Sequence, residues 1–413
     1  MGFDAIRVLA YAVLSRAMLV AFSLIAAWLL DSESFGVFSY VVLTTSSVAT
    51  LAAVGVSVTC NTTAARHHAD KPELVVATLS STLALSWVLA VLVSAFWLAV
   101  TPATVAAVLG IEATGAIILA LALIMASTTA FEGTSYGLRA FPGMLLAAAL
   151  SCAFAVSSAA IGAGTMGLVG VLGALLASRV LFLLLMADGA FRSLAVRPGF
   201  NLIGRYRSEV VQIFRKVGLP IALAAVLSAP VVAAAVNVMA RTKGLSDVGE
   251  FNIIYQVFLI CTFPASSISH YLLSRFSSAA GDQGDRARLK SFATGFALLL
   301  AGVAIAILWL APGALVLAAF AVQPPAALGK WFGISAVLYI VHLMFISYWP
   351  SIDRGLLVLV AQLLWAAPML GAMVMGGGAV FFSKAFAIGC LLQVCFHLLA
   401  FWRAAPRIAA ERG

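Results

Sequence analysis

Two arginines stand inside long apolar runs of this chain, a place where a guanidinium has few uses besides gripping an anion. Arg16 follows Ser15 in the first run and Arg179 lies in the sixth. A guanidinium is a planar fork that can hold paired oxygens bidentately. In hydrocarbon it is costly unless it is paired, faces a cavity or snorkels to the interface. At helical spacing Arg16 shares its face with Ala12, Ser23 and Ala27, which suits a buried or cavity-facing wall. Arg179 sits among Leu172, Leu175, Leu176, Phe182 and Leu183, opposite Gly170, Gly173 and Ala177, so a cavity wall and a lipid-facing snorkel both stay open for it.

Uncharged polar residues make a longer pattern. Asn252, Tyr255, Gln256, Ser266 and His270 fall along one line of a helix in the second half, and Ser39, Ser46, Thr50, Ser57 and Asn61 form a comparable stripe in the first. Ser and Thr alone read equally well as glue between membrane helices. Asn, Gln, Tyr and His on one continuous face are harder to hide, and they point to a wall of a water-filled cavity. Ser39, Ser57, Asn252, Tyr255, Gln256, Ser266 and His270 therefore join Arg16 and Arg179 as candidate substrate-binding residues.

Groups for covalent or metal chemistry are thin on the chain. Cys60, Cys152, Cys261, Cys390 and Cys395 lack the paired spacing of metal or redox sites and read as small hydrophobes. His67 and His68 share a short polar loop, while His270, His342 and His397 look scattered. Glu132 and Asp188 fall at the inner ends of apolar runs, so no run carries a carboxylate at its centre. No cofactor, no metal and no catalytic group is expected, and the chain reads as a transporter rather than an enzyme, since a membrane polymerase or ligase needs convergent acid-base or nucleophilic groups.

These residues must be held by membrane helices. The 413 residues are 63% hydrophobic and 9% charged, against roughly 25% charged in ordinary soluble domains. A hydrocarbon core needs about 20 apolar residues in a helix that satisfies its own backbone. The first half supplies Val8 to Leu30, Val37 to Cys60, Leu74 to Val100, Ala113 to Phe131, Met144 to Gly162 and Met166 to Ala187. The second supplies Val217 to Ala240, Phe251 to Leu273, Phe292 to Leu310, Trp331 to Trp349, Leu356 to Met375 and Val380 to Phe401. Arg16 interrupts the first run and no clean cleavage site follows, so that run reads as a retained helix and not a secretory signal.

With the N-terminus in the cytoplasm, eighteen of the 24 Lys and Arg fall in inner segments and four outside. That bias predicts a multi-pass protein of the bacterial cytoplasmic membrane with both termini inside. It also accounts for the formal charge of +9, which needs no nucleic acid; basic inner loops suit anionic lipid headgroups instead.

The organisation reads as an N-terminal six-helix lobe over 1–190, a basic cytoplasmic linker over 191–216 and a C-terminal six-helix lobe over 217–413. The halves carry an internal repeat. Ser34-Phe35-Gly36-Val37-Phe38 and Asp247-Val248-Gly249-Glu250-Phe251 align at an offset of 213, and Thr101-Pro102 and Ala311-Pro312 occupy matching places. Six helices per half is even, so the halves share one orientation, an arrangement suited to two bundles rocking about a central site. Pro220, Pro230 and Pro264 predict kinks in the seventh and eighth helices.

The stretch Ala26-Ala27-Trp28-Leu29-Leu30-Asp31-Ser32-Glu33-Ser34-Phe35-Gly36-Val37-Phe38-Ser39 resembles the first-loop signature of the oligosaccharide flippases in the multidrug/oligosaccharidyl-lipid/polysaccharide exporter superfamily, and Gly137-Leu138-Arg139-Ala140 is similar to that family's inner turn before the fifth helix. The resemblance implies two lobes around a cavity that opens alternately to each side. It implies a lipid-linked glycan substrate, a polyprenyl-pyrophosphate-linked oligosaccharide whose head Arg16 would hold, since Ser15-Arg16 matches a pattern in the related lipid II flippases. Membrane lipids, and a polysaccharide polymerase or assembly proteins, are the partners it implies.

The alternative is a small-molecule or drug cation antiporter of the same superfamily, which would favour a buried Asp or Glu. A major facilitator would show a basic glycine-rich signature between its second and third helices, and Asn61-Thr62-Thr63-Ala64-Ala65-Arg66-His67-His68 does not carry one.

Overall fold

The computed structural model describes residues 2–30, 32–99, 111–194, 200–243, 245–278, 283–306 and 326–410. Arg16, Ser39, Asn252 and Gln256 have helical backbone, but their side chains lie outside what is described, as do the Thr101-Pro102 and Ala311-Pro312 pairs. The described residues are helical with short turns, and the protein is an all-α, multi-pass membrane protein. Each of the twelve apolar runs falls on a helix as far as the description reaches. Seven of the described helices are long and apolar enough to cross a membrane, and a bent pair supplies an eighth. Large apolar side chains cover the outside, among them Phe96 at 66% and Trp402 at 75% exposure, as a lipid-facing surface requires and a monomeric soluble one rarely shows.

The chain divides into two compact units, Met1–Gly218 and Leu219–Gly413. The first holds α1 (Gly2–Leu29), α2 (Ser32–Ala52), α3 (Val56–His67), α4 (Pro72–Ala99), α5 (Ile111–Leu138), α6 (Phe141–Leu194), α7 (Phe200–Arg205) and α8 (Arg207–Ile213), and ends in a π-turn at Phe214–Gly218. α1 packs along α6, and α5 lies against α2, α3, α4 and α6. The second holds α9 (Leu219–Thr242), α10 (Leu245–Ser278), α11 (Gln283–Ile305), α12 (Ala326–Ser351), α13 (Leu356–Val374) and α14 (Ala379–Ala410). There α12 packs on α10, α11 and α14, while α13 joins α9 to α14.

Small residues set the closest approaches. A Cβ on Gly133 would fall 2.7 Å from the Ser57 Cα, and one on Gly137 would fall 2.6 Å from the Ala64 Cβ. These two glycines, one helical turn apart on α5, let α3 come into backbone contact, as small residues do where membrane helices pack. Gly162 and Gly170 also touch through their backbones. Eight residues of continuous helix would hold them about 12 Å apart, so α6 reverses between them, at Gly167 with φ 58 and ψ −133. It is a hairpin of two membrane helices.

The run expected to be one helix from Val37 to Cys60 is two, α2 and α3, bent by 45°. Gly55, at φ 75, starts α3 from a left-handed backbone that a side chain would disfavour. In the repeat, Gly36 and Gly249 are each the fifth residue of their helix, and the offset of 213 places Pro264 of α10 opposite Leu51, beside the same break. Pro220 starts a helix where a kink was expected. It is the second residue of α9, and the wider π-turn just before it accommodates the missing N–H and the ring.

Candidate functional site

The first unit concentrates its ionisable groups where α1, α5 and α6 meet. Tyr11 of α1 is buried edge-on to Tyr136 of α5, centroids 6.1 Å apart, and stacks on Phe182 of α6 at 6.5 Å. Its hydroxyl is hydrogen-bonded to the Glu132 carboxylate, and the Arg179 guanidinium is near enough to act on the same hydroxyl. Glu132 is half-buried. A carboxylate from α5, a guanidinium from α6 and a phenol from α1 thus meet inside the bundle, where opposite charges need one another and a hydroxyl donor.

Reading the sequence placed Glu132 at a helix end, because the apolar run stops at Phe131. The helix instead runs on through Thr134, Ser135, Tyr136 and Gly137 to Leu138. That puts Glu132 about 9 Å inside the C-terminus of α5. The close fit of Gly133 and Gly137 against α3 keeps this polar stretch helical. A carboxylate followed by glycines at helical spacing was the signal available.

Arg179 is 8% exposed and does not face lipid. It lines, with Thr45 and Ser46 of α2 and Leu121 and Met125 of α5, a void of about 10 Å³. That is room for one water at most. Thr45, also buried, has no hydrogen-bond partner for its hydroxyl. Ser57 is half-buried, its backbone beneath Gly133. Much of the Ser and Thr content is satisfied within its own helix: Thr59 and Thr63 donate to the carbonyls of Gly55 and Thr59 at 2.7 and 2.8 Å.

In the second unit, Ser266 and His270 are half-buried on α10, whereas Ile254 and Ile268 are fully buried. The helix therefore does present its polar line away from its packed side at these two positions. Tyr255 sits differently. Its ring stacks between Phe251 and Phe258 at 5.9 and 5.8 Å and meets Phe332 and Phe386, in the aromatic core of this unit.

Two histidines that look scattered in sequence are brought together. His342 Nδ1 and His397 Nε2 are 2.9 Å apart, and the Trp349 indole N–H donates to His397 Nδ1 at 3.0 Å. All three side chains are buried. Nearby, Gln393 Nε2 donates to Gln362 Oε1 at 3.0 Å, continuing a polar line along α14. Beside them a groove of about 480 Å³ is lined by Phe276, Ala297, Met344, Phe345, Tyr348 and Phe401, among other almost wholly apolar residues. Its rim residues Leu298 and Leu398 are exposed, so it opens at the surface of the unit. Among the described residues no His, Cys, Asp and Glu cluster suited to a metal is present.

No protein-family model and no curated protein sequence matches the chain. Solved structures do. The chain is similar to a MATE transporter in complex with MaL6, with a TM-score of 0.78 at 19% identity over 98% of this chain and 96% of that one. It is similar to the P26A mutant of MATE, with a TM-score of 0.77 at 18% identity and the same coverage. It also resembles a MOP superfamily transporter from Pyrococcus furiosus described as having a binding pocket of reverse polarity, with a TM-score of 0.75 at 18% identity over 99% of this chain and 95% of that one. At these identities the likeness is one of fold, and it extends over nearly the whole chain.

This corrects the expectation of a lipid-linked oligosaccharide flippase. The solved proteins sharing the fold include MATE multidrug and cation antiporters, which favours the alternative reading. The motif that suggested the flippase at the inner turn has a structural cause as well. Gly137 admits α3, and Arg139, at φ 58, closes α5 in a left-handed turn with Ala140 N–H bonded to the Ser135 carbonyl at 3.0 Å.

Proposed function

We propose that this chain is a secondary transporter of the MOP superfamily that exchanges small organic cations for an inorganic cation across the bacterial cytoplasmic membrane, both termini lying in the cytoplasm. The observation that carries the reading is the fold shared with MATE over 98% of the chain. Glu132 supplies the chemistry an antiporter for cations needs. It is a carboxylate inside a helix bundle, held by the Tyr11 hydroxyl and placed where a proton, a metal cation or an organic cation can compete for one negative charge. Exchange follows when only one such cation can be held at a time. The excess of Lys and Arg in the inner segments supports the orientation.

The test uses everted membrane vesicles containing the full chain. Energised vesicles should accumulate tetraphenylphosphonium above the level of vesicles without the protein, and Glu132→Gln should return accumulation to that background with the protein still present in the membrane. Equal accumulation with and without the protein would overturn the reading.

A further inference from the structure

The three-residue chain of the second unit has a definite hydrogen-bond direction. An indole N–H can only donate, so His397 Nδ1 is the acceptor. In the neutral ring the proton of His397 is then on Nε2, and it is donated to His342 Nδ1. The proton of His342 is left on its own Nε2. These assignments follow from the partners, since the hydrogens themselves are not observed. Both lone pairs of the imidazole pair are therefore occupied, one by the indole and one by the neighbouring imidazole.

We propose that Trp349, His397 and His342 form a proton-binding latch between α12 and α14. A proton reaching the pair must take a lone pair out of one of its two hydrogen bonds. The bond that is lost becomes an N–H facing an N–H, and α14, which carries His397, must move against α12, which carries His342 and Trp349. Phe345, one helical turn from each of them on α12, stacks on His397 at 4.9 Å and 18°. An aromatic face at that distance stabilises an imidazolium. The neutral state is thus locked by Trp349 and the charged state is favoured by Phe345. The latch needs water only when the unit opens, and no redox step or second reactant is involved. Its use in coupling rests on the antiporter reading above.

Little else acts on the pair electrostatically. Tyr339 of α12 lies 5.7 Å from His342, and Tyr348 packs on Trp349 at 5.2 Å. On α10, Ser269 and Phe276 face this segment, through the Ser347 hydroxyl bond at 2.8 Å and the Tyr348 ring. α10 also carries His270, Tyr271 and Arg275, and Arg275 is engaged with Tyr271. α11 turns Thr294 and apolar residues toward the neighbouring groove, with Arg288 near its start, and α13 has no titratable residue. α14 adds Lys384, set over Trp331, with Cys390, Cys395 and Arg403. The charge that acts on His342 is that of His397 itself.

The test is nitrogen NMR of the full-length protein in micelles with ¹⁵N-labelled histidine, followed from about pH 5 to about pH 8. His342 and His397 should pass together, in one step, from the neutral tautomers given above to a protonated pair. Trp349→Phe frees His397 Nδ1, so its midpoint should rise by about half to one pH unit. Phe345→Leu removes the aromatic face, so its midpoint should fall. Rings that stay neutral throughout, or a midpoint that moves in neither variant, would overturn the latch. If Trp349→Phe does not fold, an unmoved midpoint in Phe345→Leu does so alone. A wild type whose rings titrate as stated but which does not carry tetraphenylphosphonium counts against the antiporter reading and leaves the latch standing.

Discussion

The Tyr11 hydroxyl of α1 is hydrogen-bonded to the Glu132 carboxylate of α5, so the first helix of the unit is tied to its one carboxylate inside α5. Tyr11→Phe keeps the rings packed on Tyr136 and Phe182 and removes only the donor. A hydrogen bond to a charged group contributes about 1.5–3 kcal/mol, so gradient-driven tetraphenylphosphonium uptake should fall by about tenfold or more. Initial rates in vesicles matched for protein content check this, and an unchanged rate would detach the tyrosine from the site.

The contact of Gly133 with Ser57 predicts a stability effect. Gly133→Ala places a methyl group into the α3 backbone, and overpacking of this kind costs about 1–3 kcal/mol. Gly143→Ala adds its methyl group to open space and serves as the control. Thermal unfolding of the detergent-solubilised protein should show a lower midpoint for the first and no loss for the second.

Much of the fold was legible because a membrane helix announces itself by a run of apolar residues, and each of the twelve runs does fall on a helix. The break at Gly55 was less visible, since the apolar run continues across it and only a left-handed glycine marks the bend. Glu132 was misplaced by ending a helix at its first charge, when the glycines beyond it show that the helix still has a neighbour to pack on. His342 and His397 could not be paired from the sequence at all. They are 55 residues apart on separate helices, and nothing in either local pattern says that α12 and α14 will bring them together.

The polar line of α10 predicts a labelling pattern. In a background lacking the five native cysteines, single cysteines at Ser266 and His270 should react with a small water-soluble maleimide faster than cysteines at Ile254 and Ile268, which are fully buried. Equal rates at all four positions would show that α10 has no distinct wet face.

Orientation is testable without any substrate. Reporter fusions after Arg207 and after Arg288 should read cytoplasmic, and fusions near Glu33 and Lys330 should read periplasmic, as the distribution of basic residues requires. A periplasmic reading at Arg207 would reverse the proposed topology.

The central claim is that an organic cation and an inorganic cation exchange through one carboxylate. The most direct measurement loads proteoliposomes of the purified full-length protein with a pH indicator or a sodium indicator and adds tetraphenylphosphonium outside. The account expects its entry to drive protons or sodium ions out in proportion to the amount taken up, and expects Glu132→Gln to abolish that counterflow. Uptake with no counter-movement of either ion, or the same counterflow in Glu132→Gln as in the wild type, would contradict it.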